Sequence, residues 1–129
     1  MTSTVPLIAV VDDEAPVRTM LGRLLRLADY EVAAFSCGED FLASLAARAP
    51  ACVILDIHMP GLSGLEMQAR LRATHKDIPV VFITASDDPL LDQAVREAHG
   101  VALLRKPFSS DTLLGALDAA LGSQVRGVS

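Results

Sequence analysis

Val53-Ile54-Leu55-Asp56-Ile57-His58-Met59-Pro60-Gly61 is the stretch on which the fold turns. Aliphatic residues, Val53 and Ile54 among them β-branched, run straight into a carboxylate, and a Pro-Gly turn follows. An apolar run bounded by turn residues predicts a buried strand of a parallel sheet. Its last residue then sits in the crevice at the carboxyl edge of the sheet, where open α/β folds bind ligands. A carboxylate there is either part of a site or costly, because a buried charge needs a partner.

Other strands with the same ending lie on both sides of it. Leu7 to Val11 runs into Asp12-Asp13-Glu14, Glu31 to Phe35 reads as a second strand, Pro79 to Thr84 as a fourth and Val101 to Leu104 as a fifth. Helices are predicted between them. The first runs from about Ala15 to Ala28, with Pro16 in its first turn and Val17, Met20, Leu21, Leu24, Leu27 and Ala28 as one inward stripe. The second opens on a capping-box pattern, Ser36-x-x-Glu39, and buries Phe41, Leu42 and Leu45. A third, more weakly patterned, covers Gly64 to about Ala73. Ser86 or Asp87 is placed to cap a fourth helix, and Ser109-Ser110 a fifth. Strands alternating with helices imply a parallel sheet covered on both faces, joined by right-handed crossovers.

The 129 residues fit one domain, with its core at about 6–122 and a flexible tail at 123–129. Hydrophobic residues make up 51% of the chain and aromatic ones only 4%, so the core is aliphatic. The net charge of −5 argues against gripping nucleic acid or an anionic membrane, both of which need clustered Lys and Arg. No apolar run approaches a membrane span, and the start of the chain lacks the pattern of a signal peptide. Cys37 and Cys52 make neither a disulfide framework nor a zinc spacing, so a cytoplasmic setting is expected.

The strand ends carry the chemistry. Asp12 and Asp13, Asp56, Thr84 and Lys106 come from different strands but share one edge of a doubly wound sheet. Three carboxylates together repel one another unless a divalent cation and an ammonium neutralise them. Oxygen ligands of this kind suit Mg²⁺, which keeps several waters and accepts a phosphate oxygen. Phosphoryl transfer is largely positioning plus neutralisation of oxygen charge. A metal on Asp13 and Asp56, the Lys106 ammonium and the Thr84 hydroxyl can cover the three oxygens, and Asp56 is then the natural nucleophile.

These motifs resemble the receiver domain of two-component response regulators. The matching pieces are Val10-Val11-Asp12-Asp13-Glu14, Leu55-Asp56-Ile57-His58-Met59-Pro60-Gly61-x-x-Gly64, Ile83-Thr84-Ala85 and Lys106-Pro107-Phe108. The resemblance implies a flavodoxin-like (βα)5 fold of strand order 2-1-3-4-5. It implies that Asp56 accepts a phosphoryl group from a sensor histidine kinase or a phosphotransfer protein, with Mg²⁺ as cofactor. Asp13 and Asp56 would ligate the metal directly, Asp12 through water, and the main-chain carbonyl of His58 would complete the set. Thr84 and Lys106 would bind the phosphoryl oxygens, and a cis Lys106-Pro107 peptide would aim the lysine inward. The face of the fourth helix, fifth strand and fifth helix would switch its preference for a downstream protein, an output domain or a second copy. The domain would catalyse only its own phosphorylation and dephosphorylation. Met59 to Gly64 resembles receivers attached to helix-turn-helix transcriptional domains, so any DNA binding would lie outside these residues.

Leu103 departs from the family pattern, which has Tyr or Phe three residues before the lysine. Without that ring, the output is expected to rest on the loop 85–88 and on helix packing. His58 and Ser86 occupy the positions that tune acyl-phosphate hydrolysis in the family. The imidazole predicts a rate that varies between about pH 5.5 and 7.5, against the simpler reading of a solvated loop histidine. Two other functions compete. An aspartyl-phosphate hydrolase on this fold would need a second carboxylate two residues past the nucleophile, where His58 stands. A receiver used only for docking would not need the complete set of acids and lysine.

Overall fold

The computed structural model describes residues 5–125, with side chains to residue 122. Five strands, β1 (Leu7–Val11), β2 (Glu31–Phe35), β3 (Cys52–Asp56), β4 (Val80–Thr84) and β5 (Ala102–Arg105), alternate with helices α1 (Ala15–Leu27), α2 (Gly38–Ser44), α3 (Gly64–His75), α4 (Leu90–Glu97) and α5 (Ser110–Val125). All neighbouring strands are parallel, in the order β2-β1-β3-β4-β5. This is the flavodoxin-like arrangement expected from the sequence.

The sheet separates two apolar compartments, and strand alternation decides which residue enters which. Ala9 and Val11, Val53 and Leu55, and Val80 and Phe82 face α2, α3 and α4, where Phe41, Met67, Leu71 and Val95 meet them. Ile8 and Val10, Cys52 and Ile54, and Val81 and Ile83 face α1 and α5, against Leu21, Leu25, Leu113, Leu117 and Ala120. Every residue of β3 and β4 is buried, which explains why their sequences read as unbroken apolar runs. Cys52 belongs to this packing, and burial pushes its thiol up to about 12, so it is inert.

The helix ends differ from expectation in several places. Ser36 does not cap α2: Cys37 is the N-cap residue and makes no side-chain cap. A complete capping box instead opens α3, where Ser63 Oγ accepts from Glu66 N–H and Glu66 Oε1 accepts from Ser63 N–H. That box starts the helix whose apolar pattern is weakest. Neither Ser86 nor Asp87 caps α4; Asp88 Oδ1 accepts from Leu90 N–H. Ser109 does cap α5, accepting from Thr112 N–H. α5 is described as far as Val125, and residues 126–129 of the expected tail lie outside the described residues.

α1 is also turned relative to its predicted stripe. Leu21, Gly22 and Leu25 are buried, whereas Met20 and Leu27 are 47% and 86% exposed. Its apolar arc is wider than the strip of sheet it covers, so periodicity alone could not choose which edge of the arc goes inward.

Candidate functional site

The carboxyl ends of β1, β3, β4 and β5 converge on one cleft of about 250 Å³, lined by Asp13, Glu14, Asp56, His58, Ala85 and Lys106. The parallel register produces this convergence: Asp56 pairs with Ile83, and Thr84 with Arg105, so successive strands end at nearly one level.

Asp12, Asp13 and Asp56 offer carboxylate oxygens that all lie within 4.8 Å of one another. Asp12 is fully buried and Asp56 nearly so, while Asp13 is exposed. Lys106 Nζ stands 3.0 Å from Asp12 Oδ2, 3.1 Å from Glu14 Oε1 and 3.6 Å from Asp56 Oδ2. One ammonium therefore serves several acids. Burial, then the Asp12 charge, push the Asp56 carboxyl up to about 6, and Lys106 offsets only part of this. Burial also works against the Lys106 charge, but the bonds to Asp12 and Glu14 and the field of Asp56 outweigh it and hold the ammonium above its usual range. The Lys106–Pro107 peptide is cis.

The oxygen-only donor set and its excess of negative charge fit a hard divalent cation such as Mg²⁺. The raised Asp56 carboxyl fits it too, since a second cation beside the acids would relieve the repulsion.

Local bonds hold the supporting loops. Asp12 Oδ1 accepts from Glu14 N–H at 2.8 Å, and Arg18 donates to the Asp12 carbonyl at 2.7 Å, which ties the end of β1 to α1. Gly64 N–H donates to the Ile57 carbonyl at 2.8 Å, closing the loop after β3. A Cβ at Gly64 would lie 2.3 Å from the Asp56 carbonyl oxygen, so only glycine lets α3 start this close to the site. His58 is exposed; its N–H donates to Asp56 Oδ1 at 3.2 Å.

Thr84 is placed differently from a ready phosphate ligand. It is fully buried and does not line the cleft. Its hydroxyl oxygen accepts from Ser86 N–H at 3.1 Å and lies 3.2 Å from His58 Nδ1. Ser86 is half-buried and hydrogen-bonds the loop through Oγ to Asp88 N–H. Leu103 is half-buried and packs against the compartment on the α4 side.

Sequence reasoning missed Glu14 as a member of the site. Its position directly after the acidic pair was a usable signal, but its partner Lys106 is 92 residues away in the chain.

A family model described as the response regulator receiver domain matches residues 8–118. The chain is similar to the response regulator protein TodT of Pseudomonas putida, at 36% identity over 122 residues, covering 94% of this chain and 53% of that protein. It is similar to the transcriptional regulatory protein FixJ of Bradyrhizobium diazoefficiens, at 33% identity, covering 88% and 56%. The chain thus spans about half the length of the curated relatives it matches. Among solved structures it resembles a response regulator receiver protein from Burkholderia phymatum, with a TM-score of 0.82 and 40% identity over 91% of this chain and 95% of that one.

Proposed function

This chain belongs to the family of response regulator receiver domains of two-component systems, and we propose that Asp56 is its phosphoryl acceptor. Receiver domains of this family are signalling domains that work with kinases and output domains. The donor proposed here is a phosphohistidine on a sensor kinase or a phosphotransfer protein.

A carboxylate oxygen of Asp56 attacks phosphorus as the P–N bond of the donor breaks. The imidazole nitrogen keeps that electron pair, and the product is an acyl phosphate on Asp56. Asp13, Asp56 and the His58 carbonyl are the direct ligands proposed for Mg²⁺, with Asp12 acting through water. The bound ion supplies a Lewis acid that neutralises charge on the transferring group. Lys106 serves a second oxygen from where it already stands, 3.6 Å from Asp56 Oδ2. Thr84 turns out of its bond network to serve a third.

The proximity of Lys106 Nζ to Asp56, in a cleft that also holds the Asp12 and Asp13 oxygens, carries this reading. The hydrolase alternative lacks support because the residue two past Asp56 is His58, whose ring faces Thr84. The acyl phosphate adds charge and acceptor oxygens at the head of β3. Movement of Thr84 then carries the loop after β4, and the α4–β5–α5 face changes its affinity for an output domain, another protein or a second copy. This is a population shift, effective only as far as phosphorylation favours the second state. A cytoplasmic setting, beside the kinase that would supply the phosphoryl group, belongs to the same proposal. No helix among the described residues is long and apolar enough to cross a membrane.

Incubation with acetyl phosphate or phosphoramidate and Mg²⁺, read by intact mass, tests the proposal. Wild type is expected to gain the mass of one phosphoryl group, and Asp56→Asn none. Equal labelling of both proteins, or of neither, would reject it.

A further inference from the structure

The loop joining β4 to α4 is tied down from the side of the sheet. Arg105, the last residue of β5, donates from Nη2 to the Asp88 carbonyl at 2.8 Å. The same guanidinium grips Asp92 in the first turn of α4, with Nη2 donating to Oδ2 at 3.1 Å and Nη1 to Oδ1 at 3.3 Å. Arg105 is the register partner of Thr84, so its backbone is anchored in the sheet beside that residue.

The tie continues to the cleft. Asp88 N–H bonds to Ser86 Oγ, Ser86 N–H bonds to Thr84 Oγ1, and Thr84 Oγ1 faces His58 Nδ1. Thr84 and the segment that Arg105 holds at Asp88 are therefore joined by consecutive hydrogen bonds through Ser86. Leu103, on the same strand, offers only packing.

We propose that Arg105 is a positioning residue for phosphoryl acceptance: its guanidinium latches the β4–α4 loop and the first turn of α4 to β5, favouring the resting arrangement. The proposal rests on Asp56 being the acceptor. Two features suit Arg105 to release. Its side chain is about one-third exposed, so water can replace the lost bonds. Its Nε is buried without a hydrogen-bond partner, so the resting arrangement leaves one donor unsatisfied. A contact present only in the resting state lowers the affinity of any ligand that favours the other state, and by linkage its removal raises that affinity.

The test uses beryllium fluoride with Mg²⁺ as a non-transferable phosphoryl mimic, titrated by calorimetry into wild type, Arg105→Ala, Asp92→Ala and the double variant. Each single variant is expected to bind the mimic on the order of three- to ten-fold more tightly than wild type. The double variant should bind no more tightly than Arg105→Ala, and Arg105→Lys should fall between Arg105→Ala and wild type. Amide exchange at residues 86–97 in the unliganded Arg105→Ala protein should be faster than in wild type. A purely structural arginine would lower the thermal midpoint and leave mimic affinity unchanged, and that result overturns the latch. Failure of wild type to bind the mimic, or equal binding by Asp56→Asn, overturns the acceptor reading and the latch with it.

Discussion

Asp56→Asn should make the metal-free domain more stable. The Asp56 carboxyl titrates at about 6 in the folded chain against 3.8 for the free group. Between those values the folded chain holds a proton that the unfolded chain releases. Stability from this group therefore falls as pH rises through that window and stays low above it. At about 1.4 kcal/mol per pH unit, the ionised form costs the fold about 3 kcal/mol near neutrality. Asn removes the charge and keeps an oxygen for the His58 N–H, while Lys106 loses the attraction of one acid and keeps Asp12 and Glu14. That attraction is already contained in the shift, so the reduction comes from solvent screening of a partly solvated site: a gain of about 1–2 kcal/mol is expected at about pH 7.5, shrinking to about a third of its size at pH 4.5. Urea unfolding of both proteins in EDTA at the two pH values measures it. A variant no more stable than wild type at the higher pH would refute the electrostatic argument, as would a gain that does not shrink on acidification.

Mg²⁺ at about 10 mM should raise the thermal midpoint of wild type by several degrees, reversibly with EDTA and far less in Asp13→Asn, as scanning calorimetry would show. Gly64→Ala should cost about 2–4 kcal/mol in urea, because its Cβ would be 2.3 Å from the Asp56 carbonyl oxygen and 2.8 Å from Ile57 Cα. Labelling by acetyl phosphate should slow in the same variant, since the clash displaces the acceptor. Leu103→Ala should cost about 1–2 kcal/mol and leave the response to phosphorylation otherwise unchanged. A much stronger response in Leu103→Tyr, read by amide exchange of α4, would show instead that coupling through this position is limiting.

Much of the architecture was legible because buried parallel strands leave a strong trace. β3 and β4 are apolar throughout and end in Asp56 and Thr84, and the strand ends converge once the order is known. Helix ends were harder to read. Ser36-x-x-Glu39 and Ser63-x-x-Glu66 have the same pattern, yet only the second forms a box, since loop geometry decides which hydroxyl meets a helix start. Met20 and Leu27 show a similar ambiguity in rotation. Glu14 had a signal in its place after the acidic pair but Arg105 had none, and the partners of both, Lys106 and the pair Asp88 and Asp92, adjoin them only after folding. The placement of Thr84, whose hydroxyl meets Ser86 N–H and does not line the cleft, depends on side-chain rotation, on which its sequence neighbours are silent.

The ammonium at the rim has a mechanical consequence as well. β5 is an outermost strand and β1 is separated from it by β3 and β4, yet Lys106 grasps Asp12 across that width. If the outer strand frays, the inner acids lose their counter-charge, so the cost of peeling is borne in the middle of the sheet. The cleft thus behaves as a cross-tie, fastening the border of the sheet to its centre.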